Sequence, residues 1–351
     1  MVGLIMSLSL VSLSAEDAGA ENDQSPYGKM AGPLPMRTIE PLRLLFFQFS
    51  PEQAETLGEG RWLGRFEYSQ SNVLHPPEIP TTEYVAHEDF GITRFNLGLR
   101  HGLTDRFDLG AEMPIMWFND GFMDTFILDV EEFFEQVAIK RIREARGQYA
   151  YELSRDGETF LVVDDDTVGV GDLALTGKYH LFDQGRGVPD FSVRAALKFP
   201  TGIESDGMGS GSFDAALGFA ADWDFRRWAA GVNFNTTFTF GDQFSDVHIS
   251  TSPYIFSGHF ELEYRFSKVF SLHIQTSGIS GPFTFDKNRP PSPFDTSEAN
   301  MKEFIGRTYH YMLGITIRPN ENWTIYGGAV EDYFNSADAA SDFSFFVVID
   351  H

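Results

Sequence analysis

From residue 61 onward, apolar side chains fall on every second position, in runs separated by turn residues. In residues 191–199 (FSVRAALKF), Phe191, Val193, Ala195, Leu197 and Phe199 occupy one parity, and Ser192, Arg194, Ala196 and Lys198 the other. A β-strand sends successive side chains to opposite faces, so such a run builds one apolar wall and one polar wall. Residues 107–117 repeat the split, as do 256–266 and 309–317. No internal stretch has 18 uninterrupted apolar residues, which excludes helical membrane spans.

Twelve alternating segments can be marked: 61–73, 90–101, 106–118, 168–182, 190–200, 212–224, 227–240, 254–266, 269–281, 306–318, 322–331 and 341–349. Each is long enough to cross a bilayer as a tilted strand. Short and long connections alternate between them. The pattern predicts an all-β fold: a transmembrane antiparallel up-and-down barrel of about 12 strands, with tight turns at one end and longer loops at the other. An even strand number puts both chain ends on the turn side, the periplasmic side of a bacterial outer membrane. Trp62, Trp117, Trp223, Trp228 and Trp323 lie near strand ends with apolar parity, as expected for a membrane girdle. Four would mark the periplasmic girdle and Trp117 the external one. A soluble antiparallel sandwich also alternates, but its strands are shorter and its loops lack this regularity.

Composition narrows the partners. Fifty-one acidic against 26 basic residues give a net charge of −25, which argues against nucleic acid. The acidic loops either hold divalent cations at a lipopolysaccharide surface or keep the chain soluble in transit. There is no cysteine, hence no disulfide and no thiolate site. Phe (35) and Gly (33) are abundant, which suits a membrane barrel. The expected partners are outer-membrane lipids and lipopolysaccharide, the barrel-assembly machinery and a small-molecule solute; no cofactor or metal is expected.

Residues 1–15 read as a signal-peptide remnant: an apolar run and small residues, although no Lys or Arg precedes the run. Residues 16–60 read as an irregular periplasmic segment that can act as a partial plug. Its apolar patch 42–49 (LRLLFFQF) is placed in the barrel's periplasmic mouth or at the membrane interface. Residues 61–351 form the barrel, interrupted by an external insertion at 119–167. Within the insertion, 124–146 has helical periodicity and 148–163 reads as a β-hairpin turning at Arg155-Asp156-Gly157. This helix-hairpin element is either a lid over the barrel or an elaboration of its rim. The run Asp164-Asp165-Asp166 lacks EF-hand spacing and reads as a solvated loop.

Catalytic signals are thin. His248-Ile249-Ser250 has the two-residue spacing of outer-membrane phospholipases, but it lacks the following Asn-Gly and falls in a predicted loop. No zinc-protease spacing occurs among the nine histidines. The informative set is the polar parity, predicted to line the lumen. It comprises Arg65 and Glu67 on the first strand, Arg94 and Arg100 on the second, and Asp108 and Glu112 on the third. Asp172, Lys178 and His180 follow on the fourth, Arg194 and Lys198 on the fifth, and Asp214 on the sixth. The eighth strand supplies Glu261, Glu263 and Arg265, the ninth His273 and Gln275, and the tenth His310 and Arg318. A barrel this narrow either pairs such charges across itself and fills, or leaves a polar pore with a basic wall facing an acidic one.

Several motifs fit a known pattern: GLTDRFDLG at 102–110, Gly169-Val170-Gly171-Asp172-Leu173, Lys198-Phe199-Pro200-Thr201-Gly202, Gln275 within LHIQTSG, and Glu331-Asp332. On these the chain resembles a domain-of-unknown-function family of proteobacterial outer-membrane barrels. It is similar, more weakly, to outer-membrane channels associated with the degradation of aromatic compounds. The resemblance implies fold and outer-membrane location, and a transport role for hydrophobic solutes. Many outer-membrane barrels end in Phe, whereas here the last aromatic is Phe346, so the whole 343–349 strand is expected to serve assembly. Three functions stay open: a narrow channel or transporter for small solutes, including hydrophobic or aromatic ones; a non-conducting structural or display barrel; and a lipid-modifying enzyme.

Overall fold

The computed structural model describes residues 26–38, 40–75, 83–120, 149–185, 187–244, 249–284, 305–332 and 343–351. Twelve strands form the wall, numbered here in chain order. They are β1 (Trp62–His75), β2 (Tyr84–Thr104), β3 (Phe107–Asn119), β4 (Leu173–Phe182), β5 (Asp190–Phe199) and β6 (Asp214–Phe225), then β7 (Trp228–Thr239), β8 (Tyr254–Arg265), β9 (Phe270–Ile279), β10 (Thr308–Asn320), β11 (Trp323–Asp332) and β12 (Phe343–Asp350). Each pairs antiparallel with its chain neighbour, and β1 pairs with β12 from Arg65↔Asp350 to Asn72↔Phe343. The barrel is therefore closed, with each of the twelve wall strands paired on both sides.

The expected faces are present. Leu197, Leu217, Ile274 and Leu313 are more than half exposed on the outside. Their even- or odd-numbered neighbours turn inward and are buried. Across β5–β8 the outer face carries a ladder of rings, Phe191–Phe219 at 5.6 Å, Phe219–Phe234 at 5.9 Å and Phe234–Phe256 at 6.4 Å. Four tryptophans sit at the short-turn rim: Trp62, Trp228 and Trp323 open their strands, and Trp223 lies two residues before the end of β6. Trp117 sits at the opposite, long-loop rim. All five are at least partly exposed on the outer face, where a half-buried indole suits a membrane interface.

Three local expectations change. The fourth predicted strand is broken: Val168–Val170 pairs with β3, and β4 begins only at Leu173. At the break Thr201 Oγ1 accepts the Leu173 N–H (2.8 Å) and donates to the Gly171 carbonyl (3.0 Å), replacing ladder bonds. β2 begins at Tyr84, well before its predicted start, and overhangs β3. The helix expected over 124–146 lies outside the described residues, and of the expected helix-hairpin insertion only the hairpin over 148–163 is seen. It is a pair of strands, Ala150–Arg155 and Glu158–Val162, turning at Asp156-Gly157 with positive φ. Ala150–Arg155 pairs with the overhang of β2 from Tyr84 to Asp89. It satisfies that edge and raises the wall at the long-loop rim.

The inner segment sets the core. Residues 30–57 do not rest at the short-turn mouth or at the interface; they enter the lumen, turn, and leave by the same rim. The rising limb packs Ala31, Leu34 and Met36 on Met312, Tyr326, Val330, Phe346 and Val348 of β10–β12. The apex is a single helical turn, Pro41–Leu44. There Leu42, Leu45 and Phe46 join Phe90, Phe118, Tyr151, Met208 and Phe283 in an apolar cluster under the long loops. The falling limb lays Phe47 and Phe49 on Ala174, Ala196 and Ala216 of β4–β6, whose small side chains leave room for the rings. At Gly314 a Cβ would stand 2.8 Å from Leu34 Cδ1 and 2.9 Å from the Gly327 carbonyl oxygen, so both the rising limb and the neighbouring strand β11 crowd the position.

Candidate functional site: an occupied lumen

Strand register creates an electrostatic problem that the inner segment solves. Lys178 on β4 stands directly opposite Arg194 on β5, and Arg100 on β2 lies nearby. Like charges facing one another across a pair of strands repel. Glu52 of the falling limb reaches into their midst. Its Oε2 accepts from Arg100 and from Lys178 Nζ (3.3 Å), and its Oε1 from Arg194 Nη1 (3.1 Å). Burial alone would raise the Glu52 carboxyl; Arg100, Lys178 and Arg194 instead hold it well below the usual carboxylate range. Lys178 also donates to the carbonyls of Gln53 (3.1 Å) and Glu55 (2.5 Å), and the Arg194 guanidinium stacks over Phe49, 4.5 Å from its ring centre.

A second layer reverses the signs. Arg37 of the rising limb forks onto Glu112, Nη1–Oε1 2.7 Å and Nη2–Oε2 2.6 Å, with Glu67 3.7 Å away and Arg94 3.5 Å beyond it. Bidentate geometry of this kind is strong and directional. Nearer the apex, Lys198 bonds Asp172 (2.6 Å), Asp214 (3.1 Å), Ser210 Oγ (2.7 Å) and the Leu45 carbonyl (3.1 Å). At the apex Arg43 bonds Glu40 and the Gly306 carbonyl, and His310 lies 3.2 Å from Glu40. Burial opposes ionisation of Glu40, but Arg43 and His310 lower its pKa.

The remaining polar-parity residues hold the segment's backbone or its rim. Asp108 accepts the Leu57 N–H (3.1 Å), Asp214 the Phe47 N–H (2.9 Å) and Glu263 the Ala31 N–H (2.8 Å). Gln275 donates to the Leu34 carbonyl (3.1 Å), Arg318 to the Lys29 carbonyl (2.7 Å), and Arg265 to Asp224 and the Gly28 carbonyl (2.9 Å). Glu261 and His273 bond each other at 2.9 Å. Arg65 pairs with Asp350 across the β1–β12 seam (2.6 Å). His180 stays at the short-turn rim, 3.5 Å from Asp190 and 3.7 Å from Asp183. Two cavities of about 40 Å³ each flank the falling limb, one beside Glu52, Arg100 and Lys178, the other beside Arg37, Gln48 and Arg94. Each has room for a water molecule or so.

Glu52, Arg37, Glu40 and Arg43 were absent from the expected set. They sit in a segment without periodicity, which offers no parity from which to read direction. The signal available was the register itself: Lys178 stands opposite Arg194 with Arg100 nearby, and the register partner Asp108 is a single carboxylate for three cations. Of the His248–Ser250 pair, His248 lies outside the described residues, and Ser250 lies in a short strand, Ile249–Thr251.

Residues 20–351 match the family described as "Protein of unknown function (DUF3187)". The chain belongs to the DUF3187 family. No curated protein matches it. Among solved structures, this DUF3187 chain is similar to the COG4313 outer membrane channel from Pseudomonas putida F1, at a TM-score of 0.55 and 16% identity over 87% of this chain and 99% of that one. That likeness shows a shared barrel fold. It is more distantly similar to the NanC porin (TM-score 0.43, 10% identity, 82% and 98% covered) and to the Pseudomonas putida toluene transporter TodX (0.38, 9%, 90% and 98%).

Proposed function

We propose that this chain is an outer-membrane channel for small solutes whose lumen is closed at rest by its own residues 30–57. The observation that carries the reading is Glu52. The wall offers Asp108 as the register partner of Lys178, one carboxylate against three inward cations, and the inner segment brings the second; a barrel that docks a removable segment has a use for such an excess. The segment crosses the charged layer on ion pairs and backbone contacts that can be exchanged for water, whereas a permanently filled core is stabilised better by apolar packing. The exposed apolar wall and its tryptophan rims fit a bilayer, with lipids against the wall and lipopolysaccharide at the acidic long loops. The short turns and both ends of the barrel would face the periplasm, from which the assembly machinery inserts it. The ring cluster of Phe46, Phe90, Phe118 and Tyr151 under the long loops favours a solute with an apolar or aromatic part. We assign no enzymatic role.

The test is single-channel recording in planar bilayers. Intact protein should be closed for most of the record, and protein lacking residues 30–57 should show stable conductance steps. A deletion variant that folds and stays silent would favour the second reading, a structural barrel filled for rigidity, which the breadth of the segment's polar contacts also accommodates.

A further inference from the structure

The acidic side of the lumen has the same register problem as the basic side but receives a different answer. Gly231 on β7 pairs with Asp222 on β6 and with Glu261 on β8, so two carboxylates flank a glycine in one inward row. Glu263 and His273 stand opposite each other in the next row, on β8 and β9. One ligand atom each from Glu261, Glu263 and His273 lies within 4.8 Å of the others, and all three residues are buried. The inner segment brings no cation here. It supplies two backbone N–H groups, Ala54 to Asp222 and Ala31 to Glu263. Among the described residues, the one Lys or Arg contact to these carboxylates is Arg318 at 3.5 Å from Glu263.

Two buried oxygens are left over. Asp222 Oδ1 and Glu261 Oε2 have no hydrogen-bond partner, although both residues are 1% exposed. Both face the same place: a Cβ on Gly231 would stand 3.1 Å from Asp222 Oδ1 and 3.5 Å from Glu261 Oε2. Stranding one buried carboxylate oxygen is costly, and aiming two at a shared gap compounds the cost by repulsion. A cation in the gap over Gly231 resolves both.

We infer that Glu261, Glu263 and His273 form a divalent-cation site at the foot of the inner segment, with Asp222 turned toward it across the gap over Gly231. One imidazole nitrogen with carboxylate oxygens suits Zn²⁺ or a neighbouring first-row ion rather than Ca²⁺ or Mg²⁺, which prefer all-oxygen shells. The limbs hydrogen-bond Glu263 and Asp222, so the ion ties the rising limb, the falling limb and the wall strands β6, β8 and β9 together. The inference does not depend on whether the barrel conducts.

The experiment uses full-length protein folded in detergent, stripped with EDTA, exchanged into buffer containing millimolar Mg²⁺ to occupy weak acidic loop sites, and titrated with Zn²⁺ by calorimetry, with bound metal counted by elemental analysis. One tight equivalent per chain is expected. Glu261→Gln should weaken it by about ten-fold or more. Gly231→Ala keeps every ligand and fills the gap, so it should weaken binding similarly; it decides the matter if Glu261→Gln fails to fold, as judged by heat-modifiable gel migration. His180→Ala, which alters the rim cluster instead, should leave the tight site intact. A wild-type protein that takes up no Zn²⁺ between pH 6 and 8 would overturn the inference, with protons neutralising the row instead. So would folded Glu261→Gln and Gly231→Ala proteins that bind as the wild type does.

Discussion

At the scale of single residues, the lumen is organised by what faces Glu52. Removing its carboxylate leaves Arg100, Lys178 and Arg194 buried without their common partner, a change that costs about 3–5 kcal/mol when a buried pair is broken from one side. Glu52→Ala should therefore undock the falling limb while the wall persists, seen as faster amide exchange or protease cleavage around residues 45–57 with unchanged far-UV circular dichroism. Unchanged protection in that stretch would refute the ascribed role. The pH response follows from the depressed carboxyl. A group whose pKa is lowered on docking stabilises the docked state above its undocked value, near the usual 4.5, and this stabilisation is lost only as pH falls through the depressed value. Acidification from pH 7 to pH 5 should leave limb protection unchanged; release within that window would mean that another group controls docking. The inward residues of the wall were legible because parity is written into every strand. Their partners were not, since a pair such as Arg37–Glu112 joins positions 75 residues apart through a segment that carries no period.

At the scale of elements, the twelve strands and the alternation of short and long connections followed from hydrophobic period and turn chemistry. The exceptions have local causes. A break at Gly171-Asp172 arises because Asp172 accepts from the Gly202 N–H (2.9 Å) and from Lys198, pulling the chain out of the ladder while Thr201 closes the gap. The early start of β2 depends on Ala150–Arg155, a partner more than 60 residues downstream, which no local pattern could reveal. The inner segment tests its own docking at Leu34, which packs on Met312, Tyr326 and Phe346: Leu34→Ala removes that packing and leaves the wall backbone untouched, so the rising limb should lose protection and the folded barrel should remain. If protection at residues 31–36 survives the substitution, the packing of Leu34 does not anchor the limb.

At the scale of the whole molecule, the cylinder is completed where its first and last strands meet. Arg65 and Asp350 are register partners there and share a two-pronged contact at 2.7 and 2.6 Å. Arg65→Ala strands Asp350 without its partner at the closing seam, so the folded band on a heat-modifiable gel should convert at a lower temperature than in the wild type. An unaltered conversion temperature would show that backbone pairing alone secures the seam.

The rising limb begins and the falling limb ends at one rim of the cylinder, so the inner segment is a loop with both feet on the same side. Among the described residues it is not threaded, and no wall strand pairing has to open for it to leave. A tug on the residues before Tyr27 would load the contacts of the rising limb one after another, Gly28 to Arg265, Ala31 to Glu263, Leu34 to Gln275, in the manner of a zip rather than a shear. Peeling of this kind needs little force at any instant even where the summed attachment is strong. A segment closing the lumen in this way would yield to a pull from one end more readily than its summed contacts suggest.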